Sequence, residues 1–443
     1  MLLCNIKQIF MKKTLNTILY YILFMLSSQI SYTQNLPLGV WRAVLQLEKT
    51  TLPFNFEVSK SNDKIVVEFI NGDEKLLADN LIFVGDSIKI PLQLFDTELV
   101  GVIKDKQLIG EWRRYGLTKP YTVPFVASLG SYRFTENPNT ATKVLTNFSG
   151  TWEVDFLNEK GESVEKAVGI FKQNHTNLTG TFLTTTGDYR FLQGNVNDKM
   201  LYLSTFDGSH AYRFQASLEN DNTLKGEFFA GKSGYQTWKA TRNEKATLPD
   251  ANSLTFLKTG YDKLAFTLPN LESQNINQNI SQNISLADEK YKGKVVIVQL
   301  LGSWCPNCMD ETAFLSPFYN KHKKDANSNN SNKKDKIYKN LEIIGLAFER
   351  SSDIEIAKVR VQKMKQRFDI QYDIAIGGVN DKQKAAEVLP MLSAVLAFPT
   401  TIFIDKKGKV RKIHTGFSGK ATGEHYTKFT DEFQLFVEKL LNE

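Results

Sequence analysis

One run constrains this chain more than any other: Lys292 to Glu311, KGKVVIVQLLGSWCPNCMDE. Val295 to Leu301 is almost continuously apolar, as in a buried strand, and it leads straight into two cysteines three positions apart. After Cys308 come Phe314, Leu315 and Phe318, placed as on a helix. A strand that turns into a helix puts Cys305 at the helix N-terminus. There the unpaired backbone N–H groups and the helix dipole favour an anion, so the thiol is expected to ionise below its free value. Cys308 lies one turn deeper and is placed to resolve a mixed disulfide formed at Cys305. Pro306 suits the first turn, where its missing N–H is not needed.

Such a pair can be a disulfide staple, half of a metal site or a working redox couple. Zinc needs about two further ligands. The five histidines are scattered and no second CxxC exists, so no metal is expected. The third cysteine, Cys4, lies within a stretch that reads as a secretory signal, residues 1–33, upstream of its apolar run: Lys12 and Lys13, an apolar run from Ile18 to Leu26, then small polar residues. That apolar run is shorter than the roughly 20 residues a membrane span needs. Cleavage near Thr33 would leave Cys305 and Cys308 as the only cysteines, a local pair rather than a disulfide scaffold. The net charge of +7 is concentrated. Lysines of the leader and of segment 321–339 supply it, the rest is close to neutral, and a nucleic-acid-binding face is not expected.

Strand and helix patterns alternate through the C-terminal part. LEIIGLAFE (Leu341 to Glu349) and IQYDIAIG read as strands, Ile354 to Phe368 and Lys382 to Leu392 as helices, FPTTIFIDKKGKVRKIHTGF as a hairpin, and His425 to Leu441 as a closing helix. Polar insertions interrupt it near 273–285, where a loop is expected, and near 322–336, which is expected to lengthen the connection from helix to strand. This part, 261–443, resembles a thioredoxin fold of the TlpA-like disulfide oxidoreductase (redoxin) family, on the motif GSWCPNCMDE and the later FPTT. The resemblance implies a cis peptide before Pro399, with Phe398 and Pro399 holding bound substrate as a short strand. It implies support from Trp304 and from Glu311, a carboxylate that moves a proton to or from Cys308. Thioredoxins proper keep a buried aspartate where this chain has Gln299, which gives Glu311 more weight. His414 is expected on the surface of a strand.

The N-terminal part reads differently. Segments from Leu38 to Ser128 and from Ser149 to Asn243 open alike on Gly-X-Trp (Trp41, Trp152), alternate with period two, and carry LIGEW against LKGEF. The expectation is a duplicated pair of antiparallel β-modules, lipocalin-like barrels or a shared sandwich, at 34–130 and 149–243, with linkers at 131–148 and 244–260. Trp41, Trp112, Trp152 and Phe228 are expected to fill cores rather than line a pocket. His175 and His210 are expected in surface turns.

Together these readings predict a multidomain periplasmic or envelope thiol–disulfide oxidoreductase acting on protein thiols or disulfides. By family analogy it is a reductase fed by a membrane-embedded thiol relay, without a cofactor. Two alternatives are a thiol peroxidase of the peroxiredoxin type, against which CPNC argues, and a non-catalytic envelope binding protein whose thioredoxin domain is a redox gate.

Overall fold

The computed structural model describes residues 36–78, 80–92, 95–115, 121–134, 146–220, 222–272, 282–328 and 332–443. The expected signal lies outside them. Period-two alternation makes the first module a nine-stranded antiparallel sheet. Its first strand, Gly39–Gln46, pairs with its last, Tyr121–Leu129, and strands Glu74–Leu77 and Ile82–Val84 form the two ends. The second module repeats the plan. Strand Gly150–Leu157 pairs with the last strand, Gly234–Arg242, and pairing of Ser163–Asn174 with Asn177–Thr184 closes the sheet into a barrel. Along Gly150–Leu157 the alternation is literal: Trp152, Val154 and Phe156 are buried, while Thr151, Glu153 and Asp155 face outward. Trp152, Phe182, Phe214, Phe228 and Trp238 fill the barrel, and Trp41 and Trp112 are fully buried in the first module.

The two modules share a core. Phe206 of the second stacks on Phe54 of the first with centroids 4.3 Å apart and meets Trp112 edge-on at 5.2 Å. The expected linker 131–148 is partly built into this junction. Arg133 is buried and donates to Asn55 Oδ1, Ile70 O, Asn71 Oδ1, Ser204 Oγ and Ser204 O, which satisfies its guanidinium without an acid. Burial and nearby Arg42 bring it down to about 9. Phe148 joins the barrel core, and its carbonyl accepts from Trp152 Nε1 at 3.0 Å.

The C-terminal domain is built on a five-stranded sheet. Val295–Leu301 is central and buried along its whole length. It runs parallel to Leu341–Glu349 and antiparallel to Thr400–Ile404, with Asp373–Val379 and Val410–Thr415 at the edges. Helices Pro306–Asn327, Ile354–Arg367, Lys382–Val388 and Glu424–Asn442 connect or close it. Asp353 and Asp381 cap two of them through backbone N–H groups.

Several expectations are corrected. The insertion near 322–336 does not simply lengthen a connection. The helix after Cys308 runs on to Asn327 because His322 stacks on Tyr338 at 3.8 Å, and Lys333–Lys336 forms a short capped helix. At the end of the insertion near 273–285, Asn283–Ser285 pairs as a strand with Thr267–Pro269, which buries Ile284. Within 244–260, helix Ala251–Leu254 packs on strand Val410–Thr415, and Leu257 forms a bridge with Leu392. His414 is half-buried there. Its Nδ1 lies 3.0 Å from Asn252 Oδ1, and burial lowers it to about 4.

Candidate active site around Cys305 and Cys308

Cys305 caps the helix that starts at Pro306, with an extended backbone (φ −102°, ψ 110°). Its Sγ accepts from the Cys308 N–H at 3.2 Å, one of the donors a helix start leaves free. The two cysteines are joined as a disulfide with Cα atoms 5.2 Å apart. Cys308 is fully buried and Cys305 is 5% exposed, so the outer sulfur alone meets the surface. Opposite, the Phe398–Pro399 peptide is cis, and the Phe398 carbonyl oxygen lies 3.4 Å from Cys305 Sγ. Trp304 meets the Phe398 ring edge-on at 6.0 Å and donates from Nε1 to Phe348 O at 2.8 Å. Trp304, beside Cys305 in the chain, and Phe398, far from it in sequence, thus meet next to the sulfur.

Glu311, one turn beyond Cys308, is not an exposed helix acid but fully buried. Gln299 Nε2 donates to its Oε2 at 2.8 Å and Thr401 Oγ1 to its Oε1 at 2.6 Å. Gln299 and Thr401 face each other in register on adjacent strands, so the sheet presents both donors to the helix. Burial outweighs these hydrogen bonds and raises Glu311 to about 7. Tyr372 donates to Gln299 Oε1 at 3.4 Å and completes the chain. The acid that thioredoxins keep on the strand is here carried by the helix, with an amide at the strand position.

A second buried acid was missed. Glu349 accepts from the Ser303 N–H and from Ser303 Oγ, both at 2.7 Å, so it braces the turn before Trp304. Burial raises it to about 7. The one available signal was a charged residue ending the otherwise apolar strand LEIIGLAFE. Among the described residues no group of three or more His, Cys, Asp or Glu is placed to hold a metal ion, and no helix is long and apolar enough to cross a membrane.

Sequence reasoning also missed the β-modules' part in the site. Arg190, in a turn of the barrel with φ +57°, is buried and donates through Nη1 to Asp310 Oδ2 at 2.7 Å and to Pro306 O at 3.3 Å. It also pairs with Glu74 and Asp207. Asp188 accepts from the Gly419 N–H and the Arg190 N–H, both at 2.6 Å; burial, then the charge of Asp310, raises it to about 6. Gly187 lies so close to Asn307 that a Cβ there would stand 1.8 Å from Asn307 Nδ2. The CPNC turn is therefore covered from outside its own domain. A cleft of about 430 Å³ remains over Cys305. Trp304, Pro306, Asn307 and Arg350 form one wall; Arg114, Tyr121, His210 and Tyr212 from the modules form the other. His210 is thus not a plain surface-turn residue: Nδ1 lies 3.1 Å from buried Asp207, and its ring stacks on Tyr212 at 4.6 Å.

The strand–CxxC–helix turn, the parallel strands and the antiparallel hairpin carrying a cis-proline are the thioredoxin fold. Residues 263–427 match the Redoxin family. The redoxin part is 28% identical over 138 residues to the thiol-disulfide oxidoreductase ResA of Bacillus thuringiensis subsp. konkukian, which covers 31% of this chain and 64% of that protein. It is 29% identical over 126 residues to ResA of Geobacillus thermodenitrificans, covering 28% of this chain and 57% of that protein. The chain thus spans less than two thirds of the length of these relatives. Similar solved structures include a thiol-disulfide oxidoreductase from Bacteroides fragilis (16% identity, 38% of this chain and 99% of that one, TM-score 0.26). Another is a secreted thiol-disulfide isomerase from Corynebacterium glutamicum (16% identity, 45% and 97%, TM-score 0.30). The β-modules lie outside the redoxin match.

Proposed function

We propose that the chain is an exported thiol–disulfide oxidoreductase working as a disulfide reductase, with Cys305 as nucleophile and Cys308 as resolving thiol. The observation that carries this reading is the helix-capping sulfur of Cys305 set against the Phe398 carbonyl and cis-Pro399, with Cys308 buried behind it. In the reduced protein the Cys305 thiolate attacks a substrate disulfide, forms a mixed disulfide and expels one thiolate. Cys308, deprotonated, then attacks Cys305 Sγ, releases the second substrate thiolate and closes the Cys305–Cys308 bond. Two electrons pass to the substrate, and an external dithiol, in our reading a membrane-embedded relay, restores the pair. Glu311, held near neutrality and one turn from Cys308, takes the proton from the resolving thiol. Trp304 and Pro306 shape the turn, and Phe398 and Pro399 seat the substrate strand. The leader pattern of residues 1–33 supports export to the periplasm or cell envelope.

Trapping tests the reading. A Cys308→Ser variant should accumulate dithiol-releasable mixed disulfides on Cys305 in intact cells, while Cys305→Ser should accumulate none. Recovery of no adducts from Cys308→Ser would overturn it.

A further inference from the structure

The cleft over Cys305 has a chemistry that disulfide exchange alone does not require. Its lining contains Arg114, Lys232 and Arg350 together with His210, and no Asp or Glu among the described residues. Arg114 lies over the rings of Tyr121 at 5.0 Å and Trp112 at 5.7 Å, and its Nε is buried without a hydrogen-bond partner. Arg350 lies over Trp304 at 5.7 Å. Among the described residues neither guanidinium forms a salt bridge, and three acids of the surrounding elements are held by other groups. Glu349 accepts from Ser303, Asp96 pairs with Arg360 at 2.7 Å, and Asp207 serves Arg190 and His210. Burial, then the charges of Arg114 and Arg360, lowers Arg350 to about 10, and this outweighs the pull of Glu349 and Asp96, so two guanidinium groups stand near each other beside the redox turn. An anion between them would relieve that repulsion. The walls come from three places: the first module (Arg114, Tyr121), the barrel (His210, Lys232) and the redoxin part (Trp304, Arg350). The Lys232 N–H donates to Tyr121 Oη at 2.7 Å and ties the two module walls together.

We propose that this cleft is a substrate subsite that selects disulfides bearing a carboxylate beside the sulfur, read by Arg114 and Arg350 with Lys232 at the rim. The inference rests on Cys305 being the nucleophile and adds the class of substrate. A carboxylate suits a guanidinium fork, which binds it through two parallel hydrogen bonds. At about 430 Å³ the cleft has the size of a small-ligand site, in the usual range of ~300–1,000 Å³. With Cys305 only 5% exposed, a disulfide reaches it on an extended segment or a small molecule, not on the flat face of a folded domain. A short acidic peptide and a small carboxylate-bearing disulfide offer the same chemistry.

The full-length protein, reduced with a dithiol and freed of excess reagent, is presented with two cystine peptides that differ only in Asp or Asn beside each cysteine. A parallel arm uses glutathione disulfide and its esterified form. Thiol release gives the rate constants. The expected result is an acid-over-neutral ratio of about ten at low salt, the factor that ~1.4 kcal/mol of Coulomb attraction supplies. That ratio should fall towards one in Arg114→Gln and in Arg350→Gln. Because it compares two substrates on one protein, general loss of fold or of thiolate cancels. A preference confined to one arm identifies the source as polypeptide or small thiol. Equal rates on both members of each pair in the wild type would overturn the subsite and leave the redox function standing, whereas reduction of none would overturn both.

Discussion

Glu311→Gln tests the buried acid on two independent readouts. In the unfolded chain Glu311 ionises at its ordinary 4.5; in the folded protein it ionises at about 7, because burial penalises its charge. Between those values the native state holds a proton that the unfolded chain has lost. Stability is therefore full below 4.5, falls as pH rises through the window, and levels off above 7. At 1.36 kcal/mol per unit the total loss is about 3 kcal/mol. The amide keeps an acceptor for Gln299 or Thr401 and carries no charge at any pH. Urea unfolding of wild type and Glu311→Gln, extrapolated to water at pH 5 and pH 8, should give similar stabilities at the lower pH. At the higher pH the variant should gain up to about 3 kcal/mol. Glu349, also raised to about 7, is common to both proteins and cancels in the difference. The same variant should slow the resolving step by at least about 100-fold, the lower end for a lost general base. A stability difference independent of pH would refute the burial argument. A gain at pH 8 with an unchanged resolving rate would refute the proton role alone.

Other outcomes follow from the same geometry. Arg190→Met removes the cation shared by Glu74, Asp207 and Asp310 and should destabilise the protein by about 3–5 kcal/mol, seen as a lowered thermal midpoint. Gly187→Ala has φ +152° and no room beside Asn307, so it should lift the barrel turn from the CPNC turn; faster alkylation of reduced Cys305 by a bulky maleimide would report it. His414, lowered from 6.5 to about 4, is neutral in the fold where the unfolded chain takes up a proton. The His414 contribution to stability should therefore fall as pH drops from 6.5 towards 4, opposite in sign to that of Glu311, and the wild-type-minus-His414→Gln difference should show it, with the buried acids cancelling.

Much of the architecture was legible because it is written in local repeats. Alternation along Gly150–Leu157 and the repeated Gly-X-Trp openings read directly as sheet, and the apolar run before Cys305 as a buried strand. The polar stretches were less legible. His322 to Asn327 lacks an apolar stripe, yet it stays helical because His322 stacks on Tyr338, a tertiary contact. Arg133 sat in what composition presents as a linker, and its role exists only where two modules meet.

The sequence by itself determined the strand, turn and helix that place Cys305 at a helix start with Cys308 behind it, since backbone sterics, capping and an apolar run act over a few neighbouring residues. It also determined, through the period-two pattern, that two β-modules precede the redox part. Only the tertiary structure decided what covers the sulfur. Arg190 reaches Pro306 across 116 positions, and Arg114 comes from the first module and Arg350 from the redoxin part, each as unremarkable in sequence as any strand-end arginine. Their effect depends on burial and on which charges share a cleft, and both are properties of packing rather than of any local run.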